Sequence, residues 1–294
     1  MEKAVYHLPG LFEFYDFYRK FLPIYREKTE YFYDWCRIGS LYGAPADCLW
    51  AGGRVSTSNA DPRQVLALTE EYGLSARLTF SNSLLCPEHL KDPKCNRLCA
   101  LFGAEPGNGV IVHSELLLDY LKEKYPNFYF VSSTTKVLTD FEDLTAETER
   151  PDFRYVVPDF RLNKAFDRLA GLKEKRKVEF LCNECCWPGC RERKECYENV
   201  SRKNLGERCP DHICAAPEGE KGYRFSAAMK NPAFIGIRDI REIYLPMGFS
   251  QFKIEGRGLG SAMLLEFILY YLTKPEYQLP LREEMYLDSM LDLF

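Results

Sequence analysis

The stretch FLCNECCWPGCRERKEC, residues 180–196, holds Cys182, Cys185, Cys186, Cys190 and Cys196, and Cys209 and Cys214 follow. Thiols gathered this tightly in a reducing compartment bind metal or do chemistry more often than they form disulfides. Cys186 and Cys190 bracket a Trp-Pro-Gly turn, which brings two thiolates to one point. Cys209 and Cys214 bracket Pro-Asp-His-Ile. Two short cysteine pairs joined by a loop are the pattern of a four-thiolate site, and soft thiolates select zinc or an iron–sulfur cluster. The candidate ligands are Cys186, Cys190 and Cys196, with Cys209 and Cys214 competing for the remaining place. Cys182 lies inside an apolar run that reads as a strand. Cys185 adjoins Cys186, and neighbouring residues seldom reach the same ion. Both are therefore set aside. The bland alternative is a set of free thiols.

A second group of polar residues recurs where apolar runs end. These ends carry Arg54, Asn82, Arg161, Asn183, Glu184, Glu255 and Arg257. Arg54, Arg161 and Arg257 would clamp an anion bidentately, with Asn82 and Asn183 as further substrate contacts. Glu184, Glu255 and Arg257 are the catalytic candidates. The competing reading is a salt-bridge network that locks the fold. In KIEGRGLGS, glycines 256, 258 and 260 precede a helix start at Ser261, and free N–H groups there attract anions. His7 and His113 sit at strand ends, His89 and His212 in loops, and each reads best as structural. The sequence has no G-x-S-x-G elbow and no H-E-x-x-H helix, which weakens the case for a standard hydrolase.

The elements that would position these residues follow from periodicity. Eight strand candidates appear, at 4–8, 48–53, 75–82, 109–114, 128–133, 153–159, 177–183 and 249–256. Helical segments fill most intervals: 11–22 stopped by Pro23, one opened by NADPRQ, ELLLDYLKEKY, NKAFDRLAGLK, and 261–273. Alternation of this kind predicts a parallel sheet covered by helices, and eight units predict a (β/α)8 TIM-barrel-like fold. A doubly wound open sheet is the runner-up. The run IGSLYG at 38–43 is a ninth strand-like segment outside this count. The expected organisation is one domain over 1–294, with a Cys-rich insertion at 184–237 after strand seven.

Bulk properties narrow the classes. The chain has 294 residues, is 46% hydrophobic and carries a formal net charge of −4, so it has no overall pull toward nucleic acid. The basic runs KEKRK and RERK read as solvated faces. The N-terminus lacks the apolar run of a signal peptide, and SAMLLEFILYYL is too short to span a bilayer. A cytoplasmic protein with no membrane partner is expected.

With these residues in view, FLCNECCWPGCRERKECY resembles the motif of the peptidase U32 family, an apolar strand followed by N-E-x-C-x3-C-x-x-R-x-x-H-Y. The matching positions are Asn183, Glu184, Cys186, Cys190, Arg193 and Tyr197. FKIEGR at 252–257 is similar to that family's later signature, and ADCLWAGGR at 46–54 to its early A-D-x-V-Y-x-G-G segment. Cys196 stands where the family has a histidine, and the insertion with Cys209 and Cys214 is outside the pattern. The resemblance implies a TIM-barrel-like fold. It also implies a choice of activities: collagenase-like proteolysis, or oxygen-independent hydroxylation of RNA bases or small aromatic precursors, in some members with a four-cysteine [4Fe–4S] cluster and in some as a heterodimer. The expectation is an iron–sulfur protein of the hydroxylation type acting on a small anionic substrate or RNA, as a hetero- or homodimer. A peptidase, or a non-catalytic barrel with a structural zinc, are the alternatives.

Overall fold

The computed structural model describes residues 3–53, 60–217, 219 and 222–291. Eight parallel strands follow one another in the chain: β1 (Ala4–Pro9), β2 (Cys36–Gly43), β3 (Ser75–Phe80), β4 (Gly109–Val112), β5 (Tyr129–Ser132), β6 (Phe153–Val156), β7 (Glu179–Leu181) and β8 (Gln251–Lys253). Their order is β6-β5-β4-β3-β2-β1-β8-β7, and an isolated parallel bridge between Val156 and Val178 joins the two ends. The sheet is thus a nearly closed (β/α)8 barrel, and the open doubly wound alternative falls.

Helices α1 (Tyr15–Glu27), α2 (Pro62–Glu71), α3 (Pro93–Phe102), α4 (Glu115–Lys124), α5 (Phe141–Glu149) and α6 (Phe166–Ala170) follow the first six strands in turn. Their starts are chemically marked. Asp61, Asp92, Ser114 and Asp140 each accept a hydrogen bond from a first-turn N–H, and Pro62 and Pro93 occupy first-turn positions. The long connection between β7 and β8 carries α7 (Arg193–Asn204), α8 (Phe225–Ala228) and α9 (Ile237–Asp239), the last running into a π-helical turn over Ile240–Tyr244. Helices α10 (Ser261–Tyr271) and α11 (Gln278–Leu291) close the chain. Among the described residues no helix is long and apolar enough to cross a membrane.

Two expectations are corrected. The second strand is Cys36–Gly43, the run left out of the count, and residues 48–53 form a turn-rich loop. Cys48 N–H donates to Pro45 O and Ala51 N–H to Cys48 O, while the buried Trp50 donates Nε1–H to His89 O. That apolar run is buried by side-chain packing, not by ladder pairing. Pro23 also fails to stop α1, which continues to Glu27. A proline removes only its own N–H, and amphipathic packing through Tyr18, Phe21 and Leu22 holds the helix around it.

Side-chain alternation divides the strands. Ala76, Leu78 and Phe80 of β3, like Phe180 of β7 and Phe252 of β8, join the outer core under the helices. The other face looks into the barrel. Its upper part is a small apolar cluster of Tyr42, Ile111, Val131, Val157 and Leu181. The rest is polar: neutral His7 and the charged Arg77, Glu179 and Lys253 are all buried there. Arg77 donates from Nη1 to Glu179 Oε2 at 2.5 Å and from Nε to Tyr129 Oη at 2.8 Å. His7 pairs with Ser40 Oγ at 2.8 Å and Gln251 Oε1 at 3.1 Å. Burial, with Arg77 beside it, holds the imidazole down to about 3, so it is neutral.

Candidate active site

The C-terminal strand ends enclose a cavity of about 260 Å³. Tyr42, Thr79, Ile111, Leu181 and Lys253 form its deeper walls, Ser81 and Ser133–Thr135 one side, and Glu184, Cys185, Tyr197, Glu255 and Arg257 its rim. The carboxylates reach the rim through backbone devices that the sequence encodes locally. Asn183 is buried just past β7. Its Oδ1 accepts from Glu255 N–H at 2.8 Å and its Nδ2 donates to Glu255 O at 3.1 Å. One amide side chain thus continues the β7–β8 pairing past its last strand residues and fixes Glu255. Glu184 Oε1 accepts from the N–H groups of Cys185 and Cys186 at 2.9 and 3.0 Å, and its Oε2 accepts from Arg193 Nη2 at 2.5 Å.

Arg193 is buried at the start of α7. Its Nε lies 3.3 Å from Asp159, past β6, and its guanidinium rests on the rings of Phe160 and Tyr197. Asp159 also receives Arg161, Nε at 2.6 Å and Nη2 at 3.1 Å, and Arg161 donates Nη1 to Cys190 O at 2.8 Å. Together these pairs moor the covering segment to the barrel.

The expected substrate contacts separate into two groups. Arg54 lies outside the described residues. Arg161 is committed to Asp159 and the Cys190 carbonyl, and Asn82 donates to Leu49 O and Ser201 O at 3.0 and 3.1 Å while accepting from Leu84 N–H. Neither lines the cavity. Their capacity is spent on anchoring loops, so both act as moorings and not as anion clamps. Asn183 positions Glu255. Of the catalytic candidates, Glu184, Glu255 and Arg257 do share the cavity. Ser261 at the helix start lines a different groove, shared with Asp16 and Lys20, while Gly256 and Gly258 of the loop before it line the mouth cavity.

Arg257 is buried. It lies 3.8 Å from Glu13 and over the Tyr42 ring, and burial pushes the Glu13 carboxyl up against the pull of that guanidinium. The approach depends on glycine. A Cβ at Gly53 would meet Arg257 Nη2 at 2.0 Å, and one at Gly52 would meet Ser81 O at 2.3 Å. The atom met is the tip of a flexible side chain that can retreat, so Gly53→Ala is expected to displace the guanidinium and cost about 1 kcal/mol, the low end for overpacking. In an Arg257→Ala background the same change should cost close to nothing. Thermal melts of the four proteins measure this, and additive losses would refute the contact.

Among the described residues, Glu184, Cys185 and Glu255 place their ligand atoms within 4.8 Å of one another. Two carboxylates and a thiolate suit a borderline divalent ion such as zinc. Cys185, set aside on sequence grounds because it adjoins Cys186, is thus the thiol at the rim. Cys186, Cys190, Cys196, Cys209 and Cys214 lie along the covering segment and are not part of this group. Cys196 sits on α7, Cys209 accepts from Asn199 Nδ2 at 3.7 Å, and Cys214 is exposed. Cys182 is buried on the outer face.

Sequence reasoning missed Lys253 and Glu13, and also the barrel-interior pair Arg77–Glu179. The available signal was a charge inside an otherwise apolar strand, in SARLTF, EFL and QFK.

No family model and no curated protein matches the sequence. A solved structure shares the fold. The fold is similar to that of the U32 peptidase Mk0906. The likeness covers 87% of this chain and 94% of that one, with a TM-score of 0.55 and 13% sequence identity. At that identity the likeness shows the fold alone, and it agrees with the fold implied by the motifs at 180–197 and 252–257.

Proposed function

We propose that the chain acts on a small anionic molecule in the barrel mouth, with a divalent metal ion held at the rim by Glu184, Cys185 and Glu255. The observation that carries this reading is the convergence of those three side chains on a half-open cavity whose walls also carry the cations Lys253 and Arg257. An ion there would polarise a bound oxygen, and Arg257 would receive the anionic group. The small volume favours a small molecule over a polymer.

The test is metal analysis with equilibrium dialysis against zinc. One ion per chain is expected, with affinity weakened at least about tenfold by Cys185→Ala or Glu255→Gln. Cys190→Ala and Cys209→Ala should leave it unchanged.

A second reading, oxygen-independent hydroxylation with a [4Fe–4S] cluster, is favoured by the position of the cysteine-bearing segment beside the mouth. A shared cluster would be held by Cys186, Cys190, Cys196 and either Cys209 or Cys214, and no step is routed through it. Brown protein after anaerobic purification, with iron and sulfide lost on Cys186→Ala or Cys190→Ala, would overturn the first reading in favour of the second.

A further inference from the structure

We propose that Ser81 contacts the ligand of the mouth, its hydroxyl proton aimed into the cavity by a relay that starts at His113, so that this wall receives an acceptor-only oxyanion. This rests on the reading of the mouth as an anion-binding cavity and names the group that the wall takes.

The relay is a chain of three hydroxyls. His113 lies just past β4, is half-buried, and does not line the cavity. Its Nδ1 is 2.8 Å from Thr135 Oγ1. Thr135 Oγ1 donates to Ser133 Oγ at 2.9 Å, and Ser133 Oγ donates to Ser81 Oγ at 3.0 Å. Ser133 Oγ also accepts from Thr135 N–H at 3.2 Å. Ser81, Ser133 and Thr135 are buried, and all three line the cavity.

A hydroxyl has one proton to give. Thr135 gives its proton to Ser133, so toward His113 it can only accept. His113 therefore carries its proton on Nδ1. Burial, with Lys136 and Lys194 nearby and Glu115 and Glu147 pulling the other way, brings the imidazole down to about 4. The ring is thus neutral, and the bond at one nitrogen decides which of the two holds the proton. His113 is a positioning residue, acting on the mouth only through the chain of hydroxyls.

The other end of the relay opens on the ligand. Ser133 gives its proton to Ser81, and the proton of Ser81 itself has no acceptor among the described residues. Thr79 Oγ1 and Thr134 Oγ1 are buried in the same lining, also with no hydrogen-bond partner among the described residues. A buried hydroxyl left without a partner is costly. Three of them around one cavity, with Arg257 on its wall, call for a ligand that brings acceptors and charge together. An ionised oxyanion does so, whereas a neutral polyol would bring donors of its own.

The experiment is long-range proton–nitrogen NMR of the full chain carrying nitrogen-15 histidine, at about neutral pH. Sulfate binding is measured in parallel by calorimetry at constant ionic strength. His113 is expected as the Nδ1–H tautomer, its resonances identified by their loss in His113→Phe. Thr135→Ser keeps the hydroxyl and should keep that tautomer, and Thr135→Val removes the acceptor and should lose it. Ser81→Ala should weaken sulfate binding at least about tenfold. His113→Phe should also weaken it, although His113 does not reach the cavity, an effect that loss of a direct contact cannot produce. A proton found on Nε2 would overturn the relay, whatever sulfate does. Sulfate binding unchanged in Ser81→Ala would remove Ser81 from the site and leave the anion reading standing. If sulfate fails to bind the parent chain, both readings fall.

Discussion

Glu179→Gln should lower the unfolding free energy by about 3–5 kcal/mol, because it leaves Arg77 and Lys253 as buried cations without a counter-charge. That is a large share of the roughly 5–15 kcal/mol that holds a typical domain folded. Urea unfolding of both proteins measures it, and Glu179→Gln combined with Arg77→Met should recover much of the loss. A Glu179→Gln chain as stable as the parent would show that the barrel interior tolerates unpaired charge. The same cluster sets the acid limit. Glu179 is held at about 2, below its ordinary 4.5, because Arg77, His7 and Lys253 outweigh its burial. Its contribution is complete above that ordinary value and is lost as pH falls from about 4.5 to about 2. His7, held neutral at about 3 against an ordinary 6.5, adds a second loss over the window between them. Stability should therefore begin to fall below about pH 6.5, and Glu179→Gln should flatten the steeper, lower part of that curve.

Arg193→Met should have a comparable effect at the other end of the barrel, about 3–5 kcal/mol, since it strands the buried Glu184 carboxylate. Here the loss is local as well as global. Hydrogen exchange should rise most in α7 and in residues 183–192, whose anchor is gone. Metal affinity at the rim should fall with it, because Glu184 loses the partner that orients Oε2. Arg193→Lys should rescue only in part, as a point charge cannot serve Glu184 and Asp159 together. Unchanged exchange in α7 would mean that the covering segment is held by other contacts.

The barrel was legible because strand and helix periods alternate cleanly along most of the chain. The second strand was not, because CLWAGG is more uniformly apolar than CRIGSLYG. Burial of a loop through Trp50 and burial of a strand look alike until pairing is seen. The rim carboxylates Glu184 and Glu255 were read from strand ends, and the family motif points to the same places. Arg161 and Asn82 were read from strand ends by the same logic, but their donors are committed to loops, which only three-dimensional neighbours reveal. Cys185 was discounted on a rule about adjacent ligands. That rule still holds for a pair on one ion, yet it gives no reason to exclude Cys185 when Cys186 is not the partner. Lys253 lies inside the strand that opens KIEGR, and a rule that looks for chemistry only after strand ends leaves it out.

The ring of strands has one weak join, between β6 and β7, where a single bridge at Val156 and Val178 replaces a ladder. Among the described residues, side chains span that join at several levels. At the foot, Lys177 Nζ donates to Thr148 O and Arg150 O, each at 3.0 Å. Higher up, Asn163 Nδ2 reaches Leu181 O at 2.9 Å. At the mouth, Arg193 links Asp159 to Glu184. The cylinder is therefore fastened like a bracelet with a clasp, and the pin of that clasp is the residue that also seats the covering helix. Anything that draws Arg193 away loosens the cover and the hoop together, so access to the mouth and the integrity of the cylinder are one variable.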